Sequence, residues 1–524
     1  MSATRSRLEW ALCDHALSAI GAVVVPTYPT SPAPDCAHVL SDSGARMAVC
    51  EDAVQHGKIE RARGELWALE QVVAIDPFPG ADLTLADLRD RGRRHLAGHP
   101  DAVDRARERI GEDDLLTLVY TSGTTGPAKG CMLTQRNWWS MVDMVARLPG
   151  LVLPGDRAVL HLPLAHVFGR LVELVGPRVG LTIAFCPETA GLPAALRAVR
   201  PTIFPSVPAV FEGVHRTVLG RFEEATGLRR RLVGWARRAG EEASLRRRAG
   251  EPLGPALATR LAVADRLVLA RVRERLGGRM RVAISGGAPL GPGVAEFFHA
   301  LGLPILEGYG LTECTTVAAV NRPDRFRFGT VGPPAPGVEV RIAGDGEIML
   351  HGPTVFRGYW GNEEATAAVL DEDGRLRTGD VGALDAEGFL TITDRKKDII
   401  VTPGGKNVAP QNIEAALRAS PYVANCLVIG DRRPYLAALI ALDRDAVARD
   451  ASGPEDVERL IAGVVDAVNR RLAPPERIRR FAVLPRDFLA EEGEVTPTLK
   501  LRRRVVEEHF RDEIARLYPA GRGG

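Results

Sequence analysis

Short apolar runs alternate with amphipathic stretches over most of the chain. Runs at 115–120, 158–162, 182–185, 203–207, 281–285 and 304–307 are bounded by Gly, Pro, Ser or Thr, with helical periodicity between several of them. Such runs read as buried strands. Strands that alternate with helices predict an α/β architecture of mainly parallel sheets. Near the start, the pattern predicts a helix over 9–20 running into a strand over 22–26. From about residue 329 the pattern changes. Short strands over 337–342, 346–351 and 389–393, with turns such as Asp345-Gly346 and Asp373-Gly374, predict a smaller β-rich unit. After Asp394 a new set begins, including helices over 412–419 and 457–472. The expected partition is 1–328, 329–394 and 395–524, the last a small α+β domain that starts at 395–397.

Composition changes this picture little. The 524 residues suit roughly three folding units at about 150 residues each. Lys plus Arg (68) nearly balance Asp plus Glu (66), so nothing points to nucleic acid as a partner. The seven cysteines are odd in number and widely spaced, with no C-x-x-C. That argues against a disulfide framework or a zinc site and favours a reducing, cytoplasmic setting. No apolar run is long enough for a membrane span. The apolar run 16–25 follows Arg5 and Arg7 like a signal peptide, but Glu9, Asp14 and His15 interrupt the approach and no small-x-small site follows. One stretch stands out: residues 229–248 hold eight arginines against Glu241 and Glu242, with Trp235 among them. Two readings stay open, a solvated helical hairpin or a basic helix lying on the anionic inner membrane surface.

The candidate chemistry begins with Y-T-S-G-T-T-G-P-A-K-G at 120–130, directly after an apolar strand. Thr121, Ser122, Thr124 and Thr125 offer hydroxyls. Gly123 and Gly126 let the backbone approach an anion, and Lys129 adds positive charge. The string is not a Walker A loop, because no G-x-x-x-x-G-K-[ST] can be written over it.

This string resembles the adenylate-forming (AMP-binding) superfamily of acyl-CoA synthetases, luciferases and peptide-synthetase adenylation domains. Further matches follow in the family's order: P-L-A-H-V-F-G-R at 163–170, S-G-G-A-P-L at 285–290, G-Y-G-L-T-E at 308–313, T-G-D at 378–380, D-R-K-K-D-I-I-V-T-P-G-G-K-N-V-A-P-Q-N-I-E at 394–414, and T-P-T-L-K at 496–500. The arginine-rich region 229–278, placed where one branch carries a helical insertion, and the T-P-T-L-K ending resemble the long-chain fatty acyl-CoA synthetases.

The resemblance implies a two-step reaction. A fatty carboxylate attacks the α-phosphate of ATP, giving acyl-AMP and pyrophosphate. The thiol of coenzyme A then takes the acyl group and releases AMP. By the same resemblance, residues 121–126 and Lys129 hold the phosphates, Thr312 contacts the α-phosphate, and Glu313 holds Mg²⁺. Tyr309 stacks on adenine, with Gly286, Gly287 and Ala288 along its edge. Asp380 accepts from the ribose, and Arg395 binds ribose or phosphate. Lys500 bridges the attacking carboxylate and the α-phosphate. His166 lies either near the acyl pocket or in the core as a hydrogen-bonded histidine. The C-terminal domain is expected to be mobile, turning about Lys397 so that the loop at 402–407, with Gly404 and Gly405, admits the pantetheine arm.

By the same resemblance, family members carry several dozen more residues ahead of the segment matching 8–26, so either the true start lies upstream of Met1 or the chain is a form shortened at its N-terminus. Two other readings stand beside the CoA ligase: an acyl-AMP ligase that loads a carrier protein, and a truncated, inactive nucleotide- or lipid-binding homologue. The uninterrupted 394–414 segment favours coenzyme A as acceptor, and retention of Glu313, Asp380, Arg395 and Lys500 favours turnover.

Overall fold

The computed structural model describes residues 4–121, 127–402, 406–489, 491–496 and 501–518. Its centre is a six-stranded sheet in the order Ala319–Val320, Ile305–Tyr309, Val282–Ser285, Ile203–Ser206, Arg157–Leu160, Thr182–Phe185. All neighbours are parallel except the first pair. Successive strand residues face opposite clusters. Ala158, Ile203, Val282 and Leu306 pack with Met141, Leu171 and Val175, while Val159, Phe204, Ala283 and Ile305 pack with Leu196, Phe211 and Phe298. Helices therefore cover both faces, which is why these strands read as unbroken apolar runs.

The strands expected over 115–120, 337–342, 346–351 and 389–393 form with shifted ends, and strands that the pattern did not mark pair with them or form a sheet of their own. Leu115–Thr121 pairs antiparallel with Lys129–Thr134. Met47–Cys50, Gln71–Ala74 and Leu83–Thr84 form a small parallel sheet. The β-rich unit is a four-stranded antiparallel sheet of Glu339–Ile342, Glu347–His351, Leu376–Leu384 and Leu390–Arg395. The strand expected over 22–26 shrinks to one bridge, Val24 against Thr117. There the Val24 N–H donates to Leu116 O at 3.0 Å and the Leu118 N–H to Val24 O at 3.1 Å. Pro26, two positions on, lacks the N–H that would continue the ladder.

The first helix, Leu8–Ala19, is tied to the core by a buried ion pair. Arg170 Nε and Nη2 reach Asp14 Oδ2 and Oδ1 at 2.8 and 2.6 Å, with both side chains at most 1% exposed. The guanidinium lies 5.9 and 5.5 Å from the Trp10 and Trp138 rings. The arginine-rich stretch is helical over Gly227–Arg248, and it buries Ala236, Ala239, Gly240, Ala243 and Ser244. A Cβ on Gly240 would collide with the Ala300 carbonyl, so close packing against the neighbouring helix Pro292–Ala300 requires glycine there.

Beyond Arg395, strands Val423–Ile429, Leu436–Leu442 and Ile478–Val483 form a separate sheet. Helices Pro410–Arg418 and Pro454–Asn469 pack on it through Ile413, Leu417, Ile461 and Val465. This unit meets the larger one where the Gln411 N–H donates to Asp394 Oδ2 at 3.3 Å and Arg418 lies 3.6 Å from Glu212. No helix among the described residues is long and apolar enough to cross a membrane.

Candidate active site

The parallel strands Val282–Ser285 and Ile305–Tyr309 end side by side, with Ser285 opposite Glu307. Their carboxyl ends carry S-G-G-A-P-L and G-Y-G-L-T-E. In open α/β sheets, ligands bind at that edge. Gly286 is buried and donates its N–H to Ser206 O at 3.2 Å, while Gly287 and Ala288 are exposed.

After Tyr309 the chain turns sharply. A Cβ on Gly310 would collide with the Thr316 carbonyl. Thr315 and Thr316 hold left-handed φ values of 50° and 100°, which side-chain-bearing residues seldom adopt. Their hydroxyls donate to Thr354 O at 2.6 Å and Val167 O at 3.2 Å and fix the turn. A short 3-10 turn, Thr312–Cys314, results, with Thr312 buried and Glu313 half-buried. Glu313 Oε1 accepts from Tyr359 Oη at 2.8 Å, and no described residue donates to Oε2. Among the described residues no cluster of three or more His, Cys, Asp or Glu exists to cage a metal. A single carboxylate with a spare oxygen fits Mg²⁺, which takes one or two carboxylates and completes its shell with water and substrate phosphate.

The sheet pairing Leu376–Leu384 with Leu390–Arg395 sets Asp380 opposite Arg395. Tyr309 Oη donates to Asp380 Oδ2 at 2.6 Å, and Arg395 Nε lies 3.4 Å from Oδ1. Burial and the Asp380 carboxylate push the Tyr309 phenol well above its usual range, so it stays a donor. Partial burial, then the nearby Arg395, lower the Lys397 amine.

Thr121 and Lys129 are paired at the mouth of the hairpin that carries the phosphate loop. Lys129 Nζ lies 5.1 Å from the Tyr359 ring centroid. Ser122, Gly123, Thr124, Thr125 and Gly126 lie outside the described residues, as do Gly404, Gly405 and Lys500. The flanks of Lys500 are anchored: Val495 bridges Leu501, and the Arg502 N–H donates to Glu494 O at 2.8 Å. Glu494 is fully buried and accepts from Arg486 at 2.6 and 2.7 Å and from His509 at 2.8 Å. Burial alone would raise its carboxyl, but these partners hold it at about 2.

His166 is half-buried and begins helix Val167–Val179, its Nδ1 accepting the Phe168 N–H at 3.2 Å. Two carboxylates passed over in the sequence also shape the site. Glu307 is 8% exposed and accepts the Leu290 N–H at 3.1 Å, and burial pushes it up to about 7. Glu347 accepts the Gly379 N–H at 2.9 Å and lies 3.1 Å from Lys396 Nζ. It thus ties the T-G-D turn to the residue before Lys397. Each is an acidic residue within a short, largely buried strand, and that is the signal that could have found them.

The AMP-binding enzyme family matches residues 3–360, and its AMP-binding enzyme C-terminal domain matches 397–521. The long-chain-fatty-acid–CoA ligase FadD15 of Mycobacterium tuberculosis is 39% identical over 530 residues, covering 98% of this chain and 86% of the relative. Human long-chain-fatty-acid–CoA ligase ACSBG1 is 32% identical over 558 residues, covering 97% and 76%. The crystal structure of the adenylation domain of a carboxylate reductase from Mycobacterium chelonae superposes with a TM-score of 0.77 at 26% identity, over 99% of this chain and 80% of that one.

Proposed function

The chain belongs to the AMP-binding enzyme family, and from that premise we propose that it activates long-chain fatty acids with ATP and transfers them to coenzyme A. The observation that carries this reading is the cluster of Tyr309, Asp380 and Arg395, in which Tyr309 ends one of two adjacent parallel strands four residues before Glu313. Tyr309 offers its ring to the adenine and its hydroxyl to Asp380. That leaves the carboxylate fixed, with lone pairs to spare for the ribose. Gly286, Gly287 and Ala288 leave room at the edge of the base. Arg395 supplies positive charge, and Lys129 with the hydroxyls and amides of 121–126 holds the terminal phosphates.

Glu313 is the residue that would hold Mg²⁺, which offsets phosphate charge when bound. A carboxylate oxygen of the fatty acid bonds to the α-phosphorus as the bond to pyrophosphate breaks. Lys500 and Thr312 stabilise the charge that builds there. The unit beginning at 395–397 then turns about Lys397 and brings Gly404 and Gly405 to the site. The coenzyme A sulfur bonds to the acyl carbon, AMP leaves, and the thiol proton passes to solvent. His166 stands near the acyl carbon in this reading.

Pyrophosphate release with fatty acids of graded length, with and without coenzyme A, tests the proposal. Acyl-CoA with AMP is the expected product. Acyl-AMP that never passes to coenzyme A would favour a carrier-protein acceptor, and no adenylate at all would refute ligase activity.

The proposal extends to a lipid surface. On helix Gly227–Arg248 the outer stripe carries Arg231, Arg238 and Leu245, while Leu228 and Leu245 are 83% and 59% exposed. Arg237, Arg246 and Arg248 pair with Glu241, Glu251 and Glu296. Among the described residues Arg229, Arg230, Arg231, Arg238 and Arg247 have no acidic partner. Unpaired arginines beside exposed leucines suit an anionic bilayer better than a bare charge run would.

A further inference from the structure

Tyr359 touches both charged groups assigned to the triphosphate. Its hydroxyl donates to Glu313 Oε1 at 2.8 Å, and Lys129 Nζ sits 5.1 Å from its ring centroid. The backbone around it is tied to the same two elements. The Met132 N–H donates to Gly358 O at 2.9 Å and the Trp360 N–H to Gly130 O at 2.8 Å, so this segment runs along the strand that leaves the phosphate loop. The Phe356 N–H donates to Glu313 O at 2.9 Å. The ring is 8% exposed and packs edge-to-face on Phe356 at 5.0 Å. Its position is therefore set by long-range pairing on both sides.

Lys129 and Glu313 carry opposite charge and both contact Tyr359, yet no ion pair joins them among the described residues. Each is instead engaged by the same tyrosine, the lysine through the ring face and the carboxylate through the hydroxyl. A cation is attracted to a ring face by the ring's quadrupole. A phenol that donates to one carboxylate oxygen fixes that carboxylate's orientation and leaves the other oxygen open.

We propose that Tyr359 is a positioning residue that holds Lys129 and Glu313 apart, so that both face the metal-bound triphosphate rather than each other. This rests on reading Glu313 as the Mg²⁺-holding carboxylate. Groups that orient a metal ligand typically change metal affinity by about 10–100-fold when removed. Calorimetric titration of the full chain with ATP, without fatty acid and with or without Mg²⁺, reads the effect without turnover. Tyr359→Phe keeps the ring and removes the hydroxyl. It is expected to reduce the Mg²⁺-dependent gain in ATP affinity by about tenfold, with Mg²⁺-free binding unchanged. Lys129→Gln should do the reverse, weakening Mg²⁺-free binding while keeping the gain. A Tyr359→Phe variant that melts like the wild type and retains the full gain would overturn the proposal. If Glu313→Gln also retains the gain, the metal-holding role of Glu313 falls as well. If Glu313→Gln loses it, only the positioning role of Tyr359 falls.

Discussion

Glu307 offers a direct test of how the turn proposed to line adenine is built. The residue is 8% exposed, and among the described residues its carboxyl accepts from the Leu290 N–H at 3.1 Å, the last residue of S-G-G-A-P-L. Burial pushes it up to about 7. An unfolded glutamate titrates near 4.5, so folding raises its pKa by about 2.5, and each whole pKa step is worth about 1.36 kcal/mol. The sign follows from linkage. A carboxyl whose folded pKa is raised contributes stability that is fully present below the unfolded pKa and is lost as pH rises through the folded one. Wild-type protein should therefore lose about 2–3 kcal/mol through this group between pH 5 and 8. Glu307→Gln keeps an oxygen for Leu290 and never ionises, so the variant should gain on the wild type by that amount over the same range. A chain of this size does not unfold in a single two-state step. The measurement is thus the difference between variant and wild type in the midpoint of the first unfolding transition, followed from pH 5 to pH 8. A difference that stays constant with pH would refute the reasoning.

Three further outcomes are expected. Lys500→Ala should stop acyl-adenylate formation but spare thioester formation from supplied acyl-AMP, and half-reaction assays would show equal loss of both if one fixed geometry served the two steps. Arg170→Leu strands the Asp14 carboxylate in the core, a cost of about 3–5 kcal/mol that should lower the midpoint of the first unfolding transition, whereas the Arg170→Leu/Asp14→Leu pair should recover much of that loss. Replacing Arg229, Arg230 and Arg231 with Gln should lower co-sedimentation with vesicles rich in anionic lipid by more than about tenfold at low salt, with neutral vesicles unaffected; unchanged sedimentation would leave this helix a solvated face.

The sequence carried the residue types and lost their partners, for a physical reason. Apolar runs bounded by glycine and proline announce buried strands, and G-Y-G-L-T-E announces a tight turn because Gly310 has no room for a side chain. Both are local. The run over 22–26 failed as a strand because a hydrophobic stretch says nothing about whether a neighbour continues beside it, and here the ladder stops at Val24. Asp380 meets Arg395 only because the register of their two strands shifts between Val381 and Gly382, and a one-residue slip would turn either side chain to the other face. Tyr359 reaches Glu313 because its segment runs beside the strand leaving the phosphate loop, a pairing that no local pattern encodes. Glu307 and Glu347 sit in short strands where alternation alone would turn every second residue to solvent, yet both are covered. The groups proposed to meet substrate fall within short motifs, on the turn Thr312–Cys314 or in strands at Lys129, Tyr309, Asp380 and Arg395, so local sequence reveals their identity. The groups that orient them, Tyr359, Glu307 and Glu347, lie on paired segments whose neighbours are chosen by long-range register, and only a folded chain displays them.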